Sequence, residues 1–109
     1  MGFVKVCERR NIPEGEVKKV VVGEVEVLIV NVKGEYFAVG NRCTHRGADL
    51  SQGKLEGYII TCPRHGSKFD IRTGETVSGP KSLFIKMNVK SLSRYVLKLE
   101  GESIMVKVN

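Results

Sequence analysis

The chain's few cysteines and histidines constrain it most, because nearly all of them sit together. Its 109 residues hold three cysteines and two histidines. Four of these five fall into two short groups, Cys43-Thr44-His45 and, sixteen residues further on, Cys62-Pro63-Arg64-His65. Each group offers one thiol and one imidazole. Two such loops closing on each other can pinch a metal centre from opposite sides, so an acceptable fold must bring them together. Two thiolates and two imidazoles can bind one zinc ion tetrahedrally. They can equally hold a two-iron cluster, with both cysteines on one iron and both histidines on the other. Zinc sites usually pair like with like, a cysteine pair followed by a histidine pair. Here each loop mixes the two, which suits a dinuclear centre where each loop must reach both metals.

The length allows one small domain with a modest core. Apolar residues at 41% and charged residues at 28% mark a globular chain rather than a disordered one. Tryptophan is absent, so the core must be built mainly from Val, Ile and Leu. The longest apolar runs, Val20-Val21-Val22 and Val27-Leu28-Ile29-Val30, are far too short to span a bilayer. Met1 to Cys7 contains no apolar block of signal-peptide length and Glu8 follows at once, so the expected location is the cytoplasm, with no membrane partner. A net charge of +6 suggests a partner with an acidic surface. Nucleic acid is the rival partner for such a charge. However, like charges never run beyond pairs such as Arg9-Arg10 and Lys18-Lys19, and the scattered aromatics offer no base-stacking platform.

The hydrophobic pattern is β almost throughout. Phe3 to Arg9 is rich in β-formers, and Val17–Val22 and Val25–Val32 are β-branched runs split by Gly23-Glu24, a hairpin turn signal. Lys33-Gly34 marks a second turn, leading into Tyr36 to Val39. Tyr95 to Leu99 alternates, Gly101 turns the chain, and Ile104 to Val108 returns as a last strand. No full-length amphipathic helix is evident. One short helical turn is expected at Ala48-Asp49-Leu50, with room for another within Leu83 to Ser93. Gly40 to Lys81 is rich in Gly, Pro, Ser, Thr and Asp and reads as a loop-rich insertion carrying function. Cys7 lies apart, in a predicted strand, and reads as a small buried thiol.

Cys43-Thr44-His45-Arg46-Gly47 and Cys62-Pro63-Arg64-His65-Gly66-Ser67 resemble the two cluster loops of the Rieske iron–sulfur family. Phe69-Asp70 with Thr73-Gly74-Glu75 resembles the strand and turn after the second loop, and Ser78-Gly79-Pro80 the proline-containing loop that covers the cluster. The detailed resemblance runs from about Tyr36 to Pro80. It implies an all-β fold, an antiparallel β sandwich or barrel framework with an inserted cluster-binding subdomain. The whole chain, 1–109, would be one domain, with base strands at about 1–39 and 82–109 and the subdomain at about 40–81. It implies one [2Fe–2S] cluster, Cys43 and Cys62 holding the inner iron, and His45 and His65 the outer one. Gly47, Gly66, Ser67, Phe69 and Pro80 would surround it, the two glycines letting backbone amides approach the sulfurs.

The resemblance also implies a role as a monomeric one-electron carrier. Reductase would be the donor and a terminal oxygenase or other redox protein the acceptor. The small subunit of a nitrite reductase is the alternative, and a zinc-stapled binding module a more distant one. No histidine remains for a mononuclear iron of the oxygenase kind or for a Ser–His catalytic site. The respiratory branch of the family carries an extra cysteine in each loop, forming a disulfide, and a Tyr whose hydroxyl bonds a cysteine sulfur. Here Gly47-Ala48 and Arg64 stand at the first positions and Phe69 at the last, which leaves Ser67 as the donor to a bridging sulfide. The expected potential is therefore at the low end of the Rieske range, nearer about −150 mV than about +300 mV. Arg42, Arg46, Arg64 and Lys68 crowd the ligands and should push it upward. Many family ferredoxins that serve aromatic oxygenases are acidic, and the charge of +6 sets this chain apart from them.

Overall fold

The computed structural model describes residues 2–44, 47–64, 66–78 and 90–108. Among them the strands in chain order are β1 Val4–Glu8, β2 Val17–Val22, β3 Val25–Val32, β4 Glu35–Gly40, β5 Lys54–Glu56, β6 Ile59–Thr61, β7 Lys68–Asp70, β8 Thr76–Ser78, β9 Val96–Glu100 and β10 Ser103–Lys107. The β-branched runs of the sequence become the longest of these, since branched side chains pack well on a pleated surface and are stiff in a helix. β2, β3 and β4 form one antiparallel meander. Its turns fall at the two positions the sequence marks. Lys33 and Gly34 take φ of 53° and 90°, the pair of positive values that a tight type I′ hairpin demands.

The two ends of the chain make a second sheet in the order β1-β10-β9, with Val4 opposite Val106 and Glu8 opposite Ser103. The two sheets meet where Ser93 to Tyr95 runs beside β4: Gly40 N–H donates to the Ser93 carbonyl at 2.9 Å and Tyr95 N–H to the Ala38 carbonyl at 3.0 Å. The alternation expected of Tyr95 to Leu99 holds only in part. Tyr95 and Leu97 are half-buried and Val96 is exposed, but Leu99 is exposed too.

β3 is the wall between two cores. Leu28, Val30 and Val32 face one core, with Val39, Leu50, Ile60, Phe69, Ile71, Leu92 and the thiols of Cys43 and Cys62. Val27 and Ile29 face the other, with Ile12, Val20, Ala38, Ile104, Val106 and Cys7. A strand buried on both faces must be apolar at successive positions, which explains the unbroken run Val27-Leu28-Ile29-Val30. Asn31 interrupts it without an unpaired group: its amide donates to the Ile12 carbonyl at 2.7 Å and its Oδ1 accepts from Gly34 N–H at 2.7 Å.

The stretch that reads as loop-rich carries a sheet of its own, in the order β5-β6-β7-β8. Its strands have three residues each, too few for a period-two signal. The helical turn expected around Asp49 is a 3-10 turn at Leu50–Gln52, with the Asp49 side chain capping Ser51 N–H. A second 3-10 turn, Arg9–Asn11, has no counterpart in the sequence reading. The turn allowed within Leu83 to Ser93 lies mostly outside the described residues, and 90–93 is not helical. No helix among the described residues is long and apolar enough to cross a membrane. Because Leu28 is fully buried in the wall, Leu28→Ala should cost about 2–5 kcal/mol of stability in chemical unfolding. A loss under about 1 kcal/mol would mean the wall is not packed as described.

Candidate metal centre

The first ligand-bearing loop leaves the end of β4, and the second joins β6 to β7. The two share one backbone design. Cys43 N–H donates to the Ala48 carbonyl at 2.9 Å, and Gly47 N–H to the Cys43 carbonyl at 2.7 Å. Correspondingly, Cys62 N–H donates to the Ser67 carbonyl at 2.7 Å, and Gly66 N–H to the Cys62 carbonyl at 3.2 Å. Each loop thus closes on its own cysteine with the same offsets, although one reads Cys-x-His and the other Cys-x-x-His. Closing it requires a left-handed residue, and Gly47 and Gly66 supply φ of 74° and 80° at little steric cost.

This closure puts the cysteines at the feet of the loops. Cys43 and Cys62 are only 2% and 3% exposed and belong to the same core, while Thr44, Pro63 and Arg64 beside them are exposed. No cysteine of the chain forms a disulfide. Phe69 is fully buried in that core and brings no hydrogen-bond donor. His45, Arg46, His65 and Pro80 lie outside the described residues.

Ser67 is also fully buried, and its Oγ has no hydrogen-bond partner among the described residues. A buried hydroxyl without a partner costs about 1–3 kcal/mol, so the site calls for an acceptor. Two thiols brought to one apolar core fit a soft cation, which they would bind as thiolates. An iron–sulfur cluster meets both demands, since its irons bind the thiolates and its sulfides accept from a hydroxyl. The residues present fit such a group.

The charges nearby are arranged differently from the sequence expectation. Arg42 forks onto Glu26, Nε to Oε1 at 3.0 Å and Nη2 to Oε2 at 3.1 Å, and its Nη1 donates to the Gly47 carbonyl at 3.2 Å. The bond from Arg42 holds the Glu26 carboxyl below its usual range, and the same bond holds the guanidinium above its own. The Arg42 charge is therefore largely cancelled rather than directed at the ligands. Arg64 and Lys68 have no carboxylate partner among the described residues. Arg72 is bound by Asp70 and stacks 4.2 Å from the Tyr58 ring centre, fixing the turn after β7. The Lys90 carbonyl accepts from both Thr44 Oγ1 and Thr76 Oγ1, tying the returning chain to the first loop and to β8. Cys7 belongs to the other core; burial pushes its thiol up, against the opposing charges of Lys18 and Lys5.

Sequence reasoning passed over Glu26, Asn41 and Asp49. Asn41 and Asp49 bracket the first loop, a weak signal in hindsight. Glu26 lies in a strand far back along the chain and gives none.

The chain matches the family model described as Rieske [2Fe-2S] domain over residues 2–91. It is 39% identical over 98 residues to the ferredoxin component of a naphthalene 1,2-dioxygenase system of Pseudomonas aeruginosa, covering 90% of this chain and 88% of that one. In structure it is similar to the ferredoxin of carbazole 1,9a-dioxygenase from Nocardioides aromaticivorans IC177, with a TM-score of 0.86, 27% identity and 97% of each chain covered. It is also similar to a chain in a complex of reduced oxygenase and oxidized ferredoxin in carbazole 1,9a-dioxygenase, with a TM-score of 0.83 and 28% identity, covering 95% of this chain and 91% of that one.

Burial alone would raise the Asp49 carboxyl. Hydrogen bonds from the Ser51 hydroxyl, Asn41 and Ser51 N–H, together with the Lys19 charge, outweigh it and lower the pKa from 3.8 to about 2. The stability this gives is complete above pH 3.8 and is lost as the pH falls through about 2. Unfolding midpoints measured across that interval should fall more steeply for the native chain than for Asp49→Asn. Parallel curves would remove Asp49 from the acid response.

Proposed function

The chain belongs to the Rieske [2Fe–2S] domain family, and from that premise we propose that it is the ferredoxin of a multicomponent oxygenase system, a one-electron carrier between a reductase and a terminal oxygenase. The observation that carries this reading is the pair of buried thiols, Cys43 and Cys62, at the feet of twin loops in which the neighbouring Thr44, Pro63 and Arg64 are exposed. A carrier needs its redox centre shielded on one side and close to a partner on the other, and this arrangement supplies both.

In this reading Cys43 and Cys62 hold the inner iron, and His45 and His65 the outer one. The cluster supplies one-electron chemistry at a higher potential than an all-cysteine centre, because neutral imidazoles replace two thiolates. The chain's own residues do the rest. The core around Leu28, Leu50, Ile60 and Phe69 keeps water from the thiolates. Ser67, whose hydroxyl has no partner among the described residues, would donate it to a sulfur. Gly47 and Gly66 hold the loop turns, and by the family resemblance Pro80 would belong to a loop covering the cluster. Arg64 and Lys68 present positive charge beside the loops, which favours encounter with an acidic partner surface. The whole chain, 1–109, acts as one domain, with base strands at about 1–39 and 82–109 and the cluster-binding subdomain at about 40–81. It works as a monomer in the cytoplasm.

Purified protein should contain two irons and two labile sulfides per chain, be silent in electron paramagnetic resonance when oxidised, and give a signal after dithionite. One zinc per chain and no iron would overturn the proposal. The potential should lie nearer about −150 mV than about +300 mV, since the loops carry no extra cysteine pair and Phe69 offers no donor. Ser67→Ala should lower it while the iron content stays the same, because a hydrogen bond to a sulfur favours the more negative, reduced cluster. An unchanged potential would place the hydroxyl elsewhere.

A further inference from the structure

The first ligand loop is gripped by a polar network that the ligand chemistry does not itself require. Asn41 is fully buried and uses every polar group it has. Its N–H donates to the Glu26 carbonyl at 3.1 Å and its carbonyl accepts from Leu50 N–H at 2.8 Å. Its side-chain amide donates to Asp49 Oδ1 at 2.8 Å and Glu26 Oε1 at 3.3 Å, and its Oδ1 accepts from Ser51 N–H at 3.1 Å. Asp49 also accepts from Ser51 N–H at 3.0 Å and the Ser51 hydroxyl at 2.5 Å, and it meets Lys19 of β2 at 3.5 Å. Arg42, forked on Glu26, reaches across to the Gly47 carbonyl. Both ends of the loop are therefore tied, through Asn41 and Arg42, to one carboxylate on β3 and another just past the loop.

We propose that Glu26 and Asp49, acting through Asn41 and Arg42, are positioning residues for the first ligand loop, and that Glu26 also cancels the Arg42 charge beside Cys43. This rests on the function proposed above. An exposed ion pair by itself contributes little. This pair differs in being bidentate and in sharing a carboxylate oxygen with a buried amide, so loosening one member leaves others unpaired. Among the described residues two internal backbone bonds close the loop on its cysteine, and the network supplies external restraints on its span. The charge matters separately. An Arg42 released from Glu26 would leave a full positive charge one residue from a ligand and favour the reduced, more negative cluster.

The test uses cluster-bearing protein and two readouts: the reduction potential, and the rate at which an iron chelator bleaches the visible absorbance. Asp49→Asn should lose its cluster about tenfold faster, equivalent to about 1.4 kcal/mol, with little change in potential. Glu26→Gln should raise the potential, and adding Arg42→Gln to it should bring the potential back. Arg42→Gln alone, at a half-exposed side chain, should leave Glu26 uncompensated and lower the potential, which keeps the proposal testable if Glu26→Gln does not fold. Native bleaching rates in Asp49→Asn, or a native potential in either charge variant, would overturn the inference in proteins that hold two irons. A native chain without iron would instead overturn the function on which it rests.

Discussion

Burial of β3 on both faces is the constraint on which the rest of the structure depends. Val27 and Ile29 complete one core with Ile104 and Val106 of β10, while Leu28 and Val30 complete the other with Leu50, Ile60, Phe69 and the thiols of Cys43 and Cys62. The base sheets and the ligand loops are therefore joined through one short apolar run, and the site inherits the rigidity of the framework beneath it. β-Hairpin turns of the tight kind at both ends hold its register.

On that wall the two cysteines are carried inward by loops of equal design. A thiolate in an apolar core is costly alone and favourable with a soft cation. The burial that places Cys43 and Cys62 in one core therefore fits a bound soft metal. The buried Ser67 hydroxyl adds a second demand, for an acceptor, and a cluster with inorganic sulfide meets both. Beside this apolar floor lie the polar interactions that hold the loops. Glu26, Asn41, Arg42 and Asp49 brace the first loop, Asp70 and Arg72 brace the turn after β7, and the Lys90 carbonyl ties the returning chain to the first loop and to β8.

The sequence pattern was legible where it was long or chemically unusual. β2 and β3 run between the residues their β-branched composition marks, and of the mixed Cys/His groups the two cysteines are buried in one core. The four strands β5 to β8 were illegible, since three residues carry no period and their pairing is decided by neighbours distant in sequence. The arginines show the same limit. Arg42 reads as one more cation beside the ligands, but β3 brings Glu26 to it and cancels most of its charge. Arg64, two residues after Cys62, has no such partner among the described residues and keeps its charge.

Local chemistry by itself determined the β class and the glycine turns and nominated a donor set, because thiols, imidazoles and left-handed backbone positions are properties of single residues or close neighbours. Tertiary structure alone decided which charges are spent, which hydroxyl is left wanting an acceptor, and which residues brace the loop. Those depend on groups that approach within hydrogen-bonding distance only after distant strands have paired. Glu26 and Arg42, sixteen positions apart and 3.0 Å from each other, are the plainest case.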